Sequence, residues 1–166
     1  MTLFFAGNFA MPTTAAATAV TTGTAIKTML QVHAASTRPI RIVKWGITTT
    51  STPTAAITCE LLHTGTVAAT VTAHVAAGVQ PYDRTTGTPA SSVQLGTSNT
   101  GFTSTAEGSI TATRYGDLQV IPAGVSQMTW EWSLGREFEI PPSGIGRIRV
   151  TTATAVNMLC YLIWDE

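Results

Sequence analysis

Three histidines, a scatter of glutamates, one serine beside a glycine and a tryptophan pair are the side chains in this sequence whose types could perform chemistry. His33, His63 and His74 are the candidates for a metal. A jelly-roll metal centre is usually built from two histidines two residues apart with a glutamate beyond them, and no His-x-His occurs. A hairpin turning at Gly65 would leave His63 and His74 out of register, so no metal or other cofactor is expected. Ser126 stands in Gly124-Val-Ser-Gln-Met, which lacks the second glycine of a nucleophile elbow. Neither cysteine has a histidine placed by a motif to activate it. Glu131, Glu137 and Glu139 could supply a carboxylate pair for glycoside hydrolysis. Glu137 and Glu139, however, share one parity beside Arg136, the pattern of solvated or interface charge. Trp130 and Trp132 could stack on sugar rings, yet they share parity with Met128 and Leu134. Burying ~200 Å² of each ring is worth roughly 5 kcal/mol gross, which favours the core. No enzyme is expected.

These residues sit on a chain that alternates apolar and polar residues almost throughout. Residues 1–24 read as an extended N-terminal arm carrying Phe4, Phe5 and Phe9, then Pro12 and an Ala/Thr run. From 25 to 166 the chain reads as one β domain. Strand patterns cover Ala25 to Ala34, Ile40 to Ile47, and a hairpin of Ile57 to Leu62 with Val67 to Val75 about Gly65. Between Gly78 and Gly108 the pattern gives way to a long loop. Tyr82, Asp83, Arg84, Val93, Leu95 and Phe102 are its anchors, and one short strand is expected near Val93 to Leu95. Short strands follow at Ile110 to Tyr115 and Leu118 to Ile121, and then the tryptophan strand, which expects Met128, Trp130, Trp132 and Leu134 to be inward. Farther on, Ile148 and Val150 point inward and Arg147 and Arg149 outward. The last strand, Val156 to Trp164, is apolar on both parities and so is expected to be covered on both faces. About eight to ten strands and no 3.6-residue period predict an all-β jelly-roll β-sandwich.

Composition narrows the partners. The chain has 166 residues, enough for one well-filled domain. Its formal net charge is zero and only 11% of residues are charged, so it has no basic field for a phosphate backbone, and no nucleic-acid partner is expected. A neutral, Thr-covered surface favours association between subunits. No apolar run approaches the ~20 residues of a membrane helix, and the first residues lack the basic and apolar regions of a secretory signal. The expectation is therefore no membrane partner and synthesis in a cytoplasm. Cys59 and Cys160 lie within apolar strand patterns as small hydrophobes.

The segments Trp130-Glu-Trp-Ser-Leu-Gly-Arg, Ile140-Pro-Pro-Ser-Gly, Arg147-Ile-Arg-Val and Tyr161-Leu-Ile-Trp-Asp-Glu carry a family resemblance. With Arg38-Pro-Ile-Arg-Ile and Glu60-Leu-Leu-His-Thr-Gly-Thr, they resemble a group of small tailed-phage virion proteins. Members of that group are similar to tumour-necrosis-factor-like jelly rolls that form trimers and decorate capsids. The resemblance spans about Ala25 to Glu166 and leaves the arm and the Thr/Gly/Ser-rich insertion unexplained. It implies a homotrimer of jelly rolls of about eight strands, bound to the major capsid protein on the outside of a virion assembled in the host cytoplasm. In that setting the expected subunit interface is Arg147, Arg149, Tyr161, Ile163, Glu131 and Glu137; the outward arginine row is expected to pair with Glu131 or Glu137, on an adjacent strand or on another subunit. Phe4, Phe5 and Phe9 form the arm that would reach the capsid. The alternative is a phage tail or fibre-tip module that binds host glycan through exposed aromatics; an enzyme of the cupin type ranks third.

Overall fold

The computed structural model describes residues 2–11, 13–83, 85, 91–110 and 113–166. Two antiparallel sheets pack face to face in a β-sandwich. The strands in chain order are β1 (Leu3–Gly7), β2 (Val20–Thr21), β3 (Lys27–His33), β4 (Ile40–Thr49), β5 (Ile57–His63), β6 (Thr70–Ala73) and β7 (Val79–Pro81). They continue as β8 (Gly101–Ala106), β9 (Arg114–Ile121), β10 (Gln127–Glu131), β11 (Phe138–Ile140), β12 (Ile145–Thr152) and β13 (Asn157–Asp165), with a 3-10 turn at Ala76–Gly78. The first sheet runs β10-β4-β13-β1-β7, with β11 also on β4 and β2 on β13; the second runs β6-β8-β3-β12-β5-β9.

The jelly roll is visible in the nesting of the pairs. β1 pairs with β13, β3 with β12, β4 with β10 and β5 with β9, all antiparallel. That is one long hairpin wound into two sheets, the double Greek key of a jelly roll. The remaining strands raise the number above the expected eight. β6, β7 and β8 all belong to a single insertion between β5 and β9.

Alternation explains which residues fill the space between the sheets. On β13, Met158, Cys160, Leu162 and Trp164 are buried, and on β12 Ile148 and Val150 are. Trp45, Trp164, Phe4, Met29 and Leu30 are among the largest wholly buried side chains. Phe4 stacks on Trp164 with centroids 6.1 Å apart.

Three expectations need correction. The residues from Leu3 to Gly7, expected in an extended arm outside the β domain, are a strand of the sandwich itself: they form β1, hydrogen-bonded between β13 and β7. No hairpin joins β5 to β6. Both edges of β5 are taken, by β12 and β9, so the chain after Gly65 turns away and β6 pairs with β8. The loop expected from Gly78 to Gly108 carries β7 and β8, and Val93 contributes a single bridge to Ala34. Arg84, expected as an anchor there, lies outside the described residues, as do Thr111 and Ala112 of an expected strand.

Candidate functional site

The outer face of the first sheet is built by cross-strand neighbours, which point the same way. Phe5 pairs with Ile163, Gly7 with Tyr161, Tyr161 with Gly46, and Ile163 with Lys44. Since Phe4 and Trp164 face the core, Phe5, Tyr161 and Ile163 face outward. Two glycines let the aromatic rings lie flat there. A Cβ on Gly46 would come within 2.5 Å of the Tyr161 ring, and one on Gly7 within 2.3 Å of the Phe9 ring. Phe5 then stacks on Tyr161, 5.8 Å away, and meets Phe9 at a tilt, 6.4 Å away. The result is a half-exposed apolar face of Phe5, Phe9, Leu159 and Tyr161, with Ile163 nearly buried beneath it. Lys44 and Glu131, 3.4 Å apart, border it.

The second feature is β9, whose alternation runs opposite to that of a normal edge strand. Its register places Asp117 opposite Leu61 and Gln119 opposite Cys59, both core residues, so the two polar side chains face inward. Leu118 and Val120 consequently face outward, 53% and 65% exposed. A one-residue slip would reverse this, but two contacts hold the register. Asp117 Oδ2 accepts the Trp45 indole N–H at 3.1 Å, and Ile121 closes the core at the strand's end. A bulge at Gly116 leaves room for Phe138, which packs between Trp132 and the Arg114 guanidinium. On the facing edge, Trp130 pairs with the buried Trp45 yet is 47% exposed, because among the described residues no strand flanks β10 on its far side. Its expected burial, and that of Leu134 at the following turn, are therefore corrected: Leu134 is 82% exposed.

The expected interface residues divide. Tyr161 and Ile163 are on the outer face, and Glu131 is at its border. Glu137 turns back on its own loop, accepting the Gly135 N–H at 2.8 Å, which holds its carboxyl below the usual range. Arg147 and Arg149 do point away from the core, but the insertion covers Arg147 and Glu60 of β5 engages Arg149. Arg147 is wholly buried, donating to the carbonyls of Val67 and Glu107 and lying 3.5 Å from the Glu107 carboxylate. Burial pulls its pKa down to about 10. Arg149 pairs with Glu60 at 3.1 Å, and Tyr115 donates its hydroxyl to the same carboxylate, which raises the phenol pKa. Within the chain, therefore, the arginine row does not pair with Glu131 or Glu137, which lie beside the other sheet. Of the expected arm residues, Phe4 is in the core, while Phe5 and Phe9 belong to the outer face.

The chemistry candidates do not converge. His33 contacts Asn99 and Gln94, His74 contacts Gly7, and His63 lies at the end of β5 with its pKa lowered by burial. Among the described residues no three His, Cys, Asp or Glu side chains are grouped to hold a metal. Ser126 is engaged by its own turn and by Thr49. The outward apolar pair on β9 and the glycine recesses were missed by sequence reasoning. The alternation Asp117-Leu118-Gln119-Val120 did carry the signal, with the parity left open. No family model, curated protein or solved structure matches the chain.

Proposed function

We propose that this chain is a structural virion protein, a jelly-roll subunit that assembles as a homotrimer and decorates and stabilises a phage capsid from outside. The observation that carries the reading is β9, an edge strand that turns Asp117 and Gln119 in and Leu118 and Val120 out. Such an exposed apolar edge calls for a partner. The same chain offers a second, different apolar surface, the Phe5, Phe9, Leu159 and Tyr161 face. Two unlike complementary surfaces on one subunit make a heterologous contact, which closes into a ring when the rotation allows. A subunit that binds only the assembled shell stabilises it by linkage.

Light scattering of the intact chain, and of the double variant Leu118→Lys/Val120→Lys, tests the assembly. The expected result is a trimer for the wild type and a folded monomer for the variant; a wild-type monomer at micromolar concentration overturns it. Co-sedimentation with purified shells of the major capsid protein tests the partner, and absence of binding by the trimer overturns decoration. The exposed Trp130 ring favours a second reading, a tail or fibre-tip module that stacks on glycan. Quenching of tryptophan fluorescence by host sugars, lost in Trp130→Ala, would favour it; the decoration reading expects no response.

A further inference from the structure

The chain carries no Asp, Glu, Lys or Arg before Lys27, and none from Thr66 to Tyr82. These two uncharged stretches meet at one titratable side chain, His74. It is 3% exposed. Its backbone N–H donates to the Thr100 carbonyl at 2.9 Å, and its ring Nε2 lies 2.9 Å from the Gly7 carbonyl at the end of β1, as a donor. The ring tilts against Phe102 of β8 with centroids 4.9 Å apart. Its other nitrogen rests against Gly78, where a Cβ would sit 2.3 Å from Nδ1. One imidazole thus joins β1, the 3-10 turn after β6, and β8. It also lines a cavity of about 350 Å³ whose other walls include Ala10, Met11, Val75 and Phe102.

Among the described residues, every element packed on His74 is uncharged. β1, the Asn8 to Met11 segment, β6, the 3-10 turn and β8 contain no ionisable side chain. The carboxylates that follow the 3-10 turn and β8 in the chain are committed elsewhere: Asp83 accepts the Leu3 N–H, and Glu107 is held by Thr28, Ser104 and Arg147. An imidazolium here would be buried without a counter-charge, which is costly. Burial holds the His74 pKa below the ordinary imidazole range, an effect only partly offset by the Gly7 carbonyl.

We infer that His74 is an acid-sensitive latch: neutral, it holds the end of β1 and the segment to Met11 against the insertion, and protonated, it lets them go and opens the cavity between them. The latch does not touch the β9 edge, but the segment it releases carries Phe9 of the outer face, so its test reads backbone opening rather than association. The open form binds a proton that the closed form refuses. Opening is therefore suppressed above about pH 6.5, the unperturbed imidazole value, and grows as pH falls below it.

Hydrogen exchange of the full chain between about pH 7.5 and 4.5, corrected for intrinsic rates, reads this directly. Peptides spanning residues 3–11 and 70–79 are expected to show an opening ratio that rises by up to about ten-fold per pH unit below about 6.5, while β5 and β12 peptides stay protected. His74→Gln, which keeps a neutral donor, is expected to flatten the rise; His33→Gln is expected to keep it. Acid-dependent opening that persists in His74→Gln overturns the latch. Should that variant fail to fold, NMR titration of the wild-type imidazoles decides: a His74 that titrates at or above the ordinary value overturns it, and one that stays neutral until the segment opens supports it.

Discussion

The Trp45 indole N–H donates to Asp117 across the open end of the sandwich, Nε1 to Oδ2 at 3.1 Å, and so ties the first sheet to the inverted edge strand of the second. Trp45 is wholly buried, so its N–H must find an acceptor within the protein. The requirement is met by turning a carboxylate inward on β9, and the cost is that Leu118 and Val120 face out. Asp117→Ala should destabilise the fold by about 1–3 kcal/mol in urea denaturation, the range for a buried donor left unpaired. Asp117→Asn, which still offers a carbonyl oxygen, should lose less than half of that. Equal losses in the two variants would mean that the bond does not set the strand's register.

The ion pair between Arg147 and Glu107 makes a second, asymmetric prediction. Arg147 is wholly buried, whereas the Glu107 side chain retains 22% exposure. Removing the carboxylate strands a buried cation, and Glu107→Ala should cost about 3–5 kcal/mol. Arg147→Met replaces the cation with an apolar chain of similar length, and Glu107 keeps its bonds from Thr28 and Ser104. That variant should lose at most about 1 kcal/mol. The reverse order in thermal or urea unfolding would show that the pair is not what pins the insertion to the second sheet.

Much of the sandwich was legible because strand alternation reports directly on a two-layer core. The inward row of β12, Ile148 and Val150, is the one its alternation predicts; β13, apolar on both parities, was expected to be covered on both faces, and it buries Met158, Cys160, Leu162 and Trp164 while Leu159 and Tyr161 stay half-exposed. Three things were not legible, each for a physical reason. Period two states that Arg147 points away from the core but not whether another segment lies above it, and here Val67 and Glu107 do. Alternation on β9 fits either parity, and the choice is made by Trp45, more than 70 residues away in sequence. The Phe4 region looked like an arm because β1 has only five residues, and its partner β13 lies at the other end of the chain. The outward placement of Tyr161 and Ile163 was legible because β13 is apolar on both parities. The outward placement of Leu118 and Val120 was not, since an apolar side chain on an edge strand is ordinarily assigned to the core.

Both cysteines are free and face the interior, and burial pushes the Cys59 thiol up to about 12 and Cys160 well above its ordinary value. Neither should react with iodoacetamide in the folded protein, and both should react in urea. The linkage has a definite sign: a thiol whose pKa is raised by folding stabilises the fold below its unfolded pKa and loses that contribution as pH rises. Stability should therefore fall above about pH 8.5, by up to about 1.4 kcal/mol per pH unit for each thiol. Cys59→Val should reduce the alkaline slope. An unchanged slope would assign the loss to other groups.

Gly46 and Tyr161 offer the sharpest separation of folding from assembly. Gly46 lies opposite Tyr161 in the register of β4 and β13, and the tyrosine ring occupies the space a side chain at 46 would take. Gly46→Ala must lift that ring off the sheet. The rest of the outer face then loses its flat stack, because Phe5 packs on Tyr161. Overpacking of this kind costs about 1–3 kcal/mol. Adding Tyr161→Ala removes the clash, so the double variant should be more stable than Gly46→Ala alone, a coupling readable from a double-mutant cycle. Association should behave differently. If the aromatic face is the surface that receives the Leu118 and Val120 edge of the next subunit, Tyr161→Ala should weaken the trimer whether or not Gly46 is changed. A double variant that recovers stability and remains monomeric is the expected outcome. One that recovers both would take this face out of the interface and leave its aromatic stack a matter of folding alone.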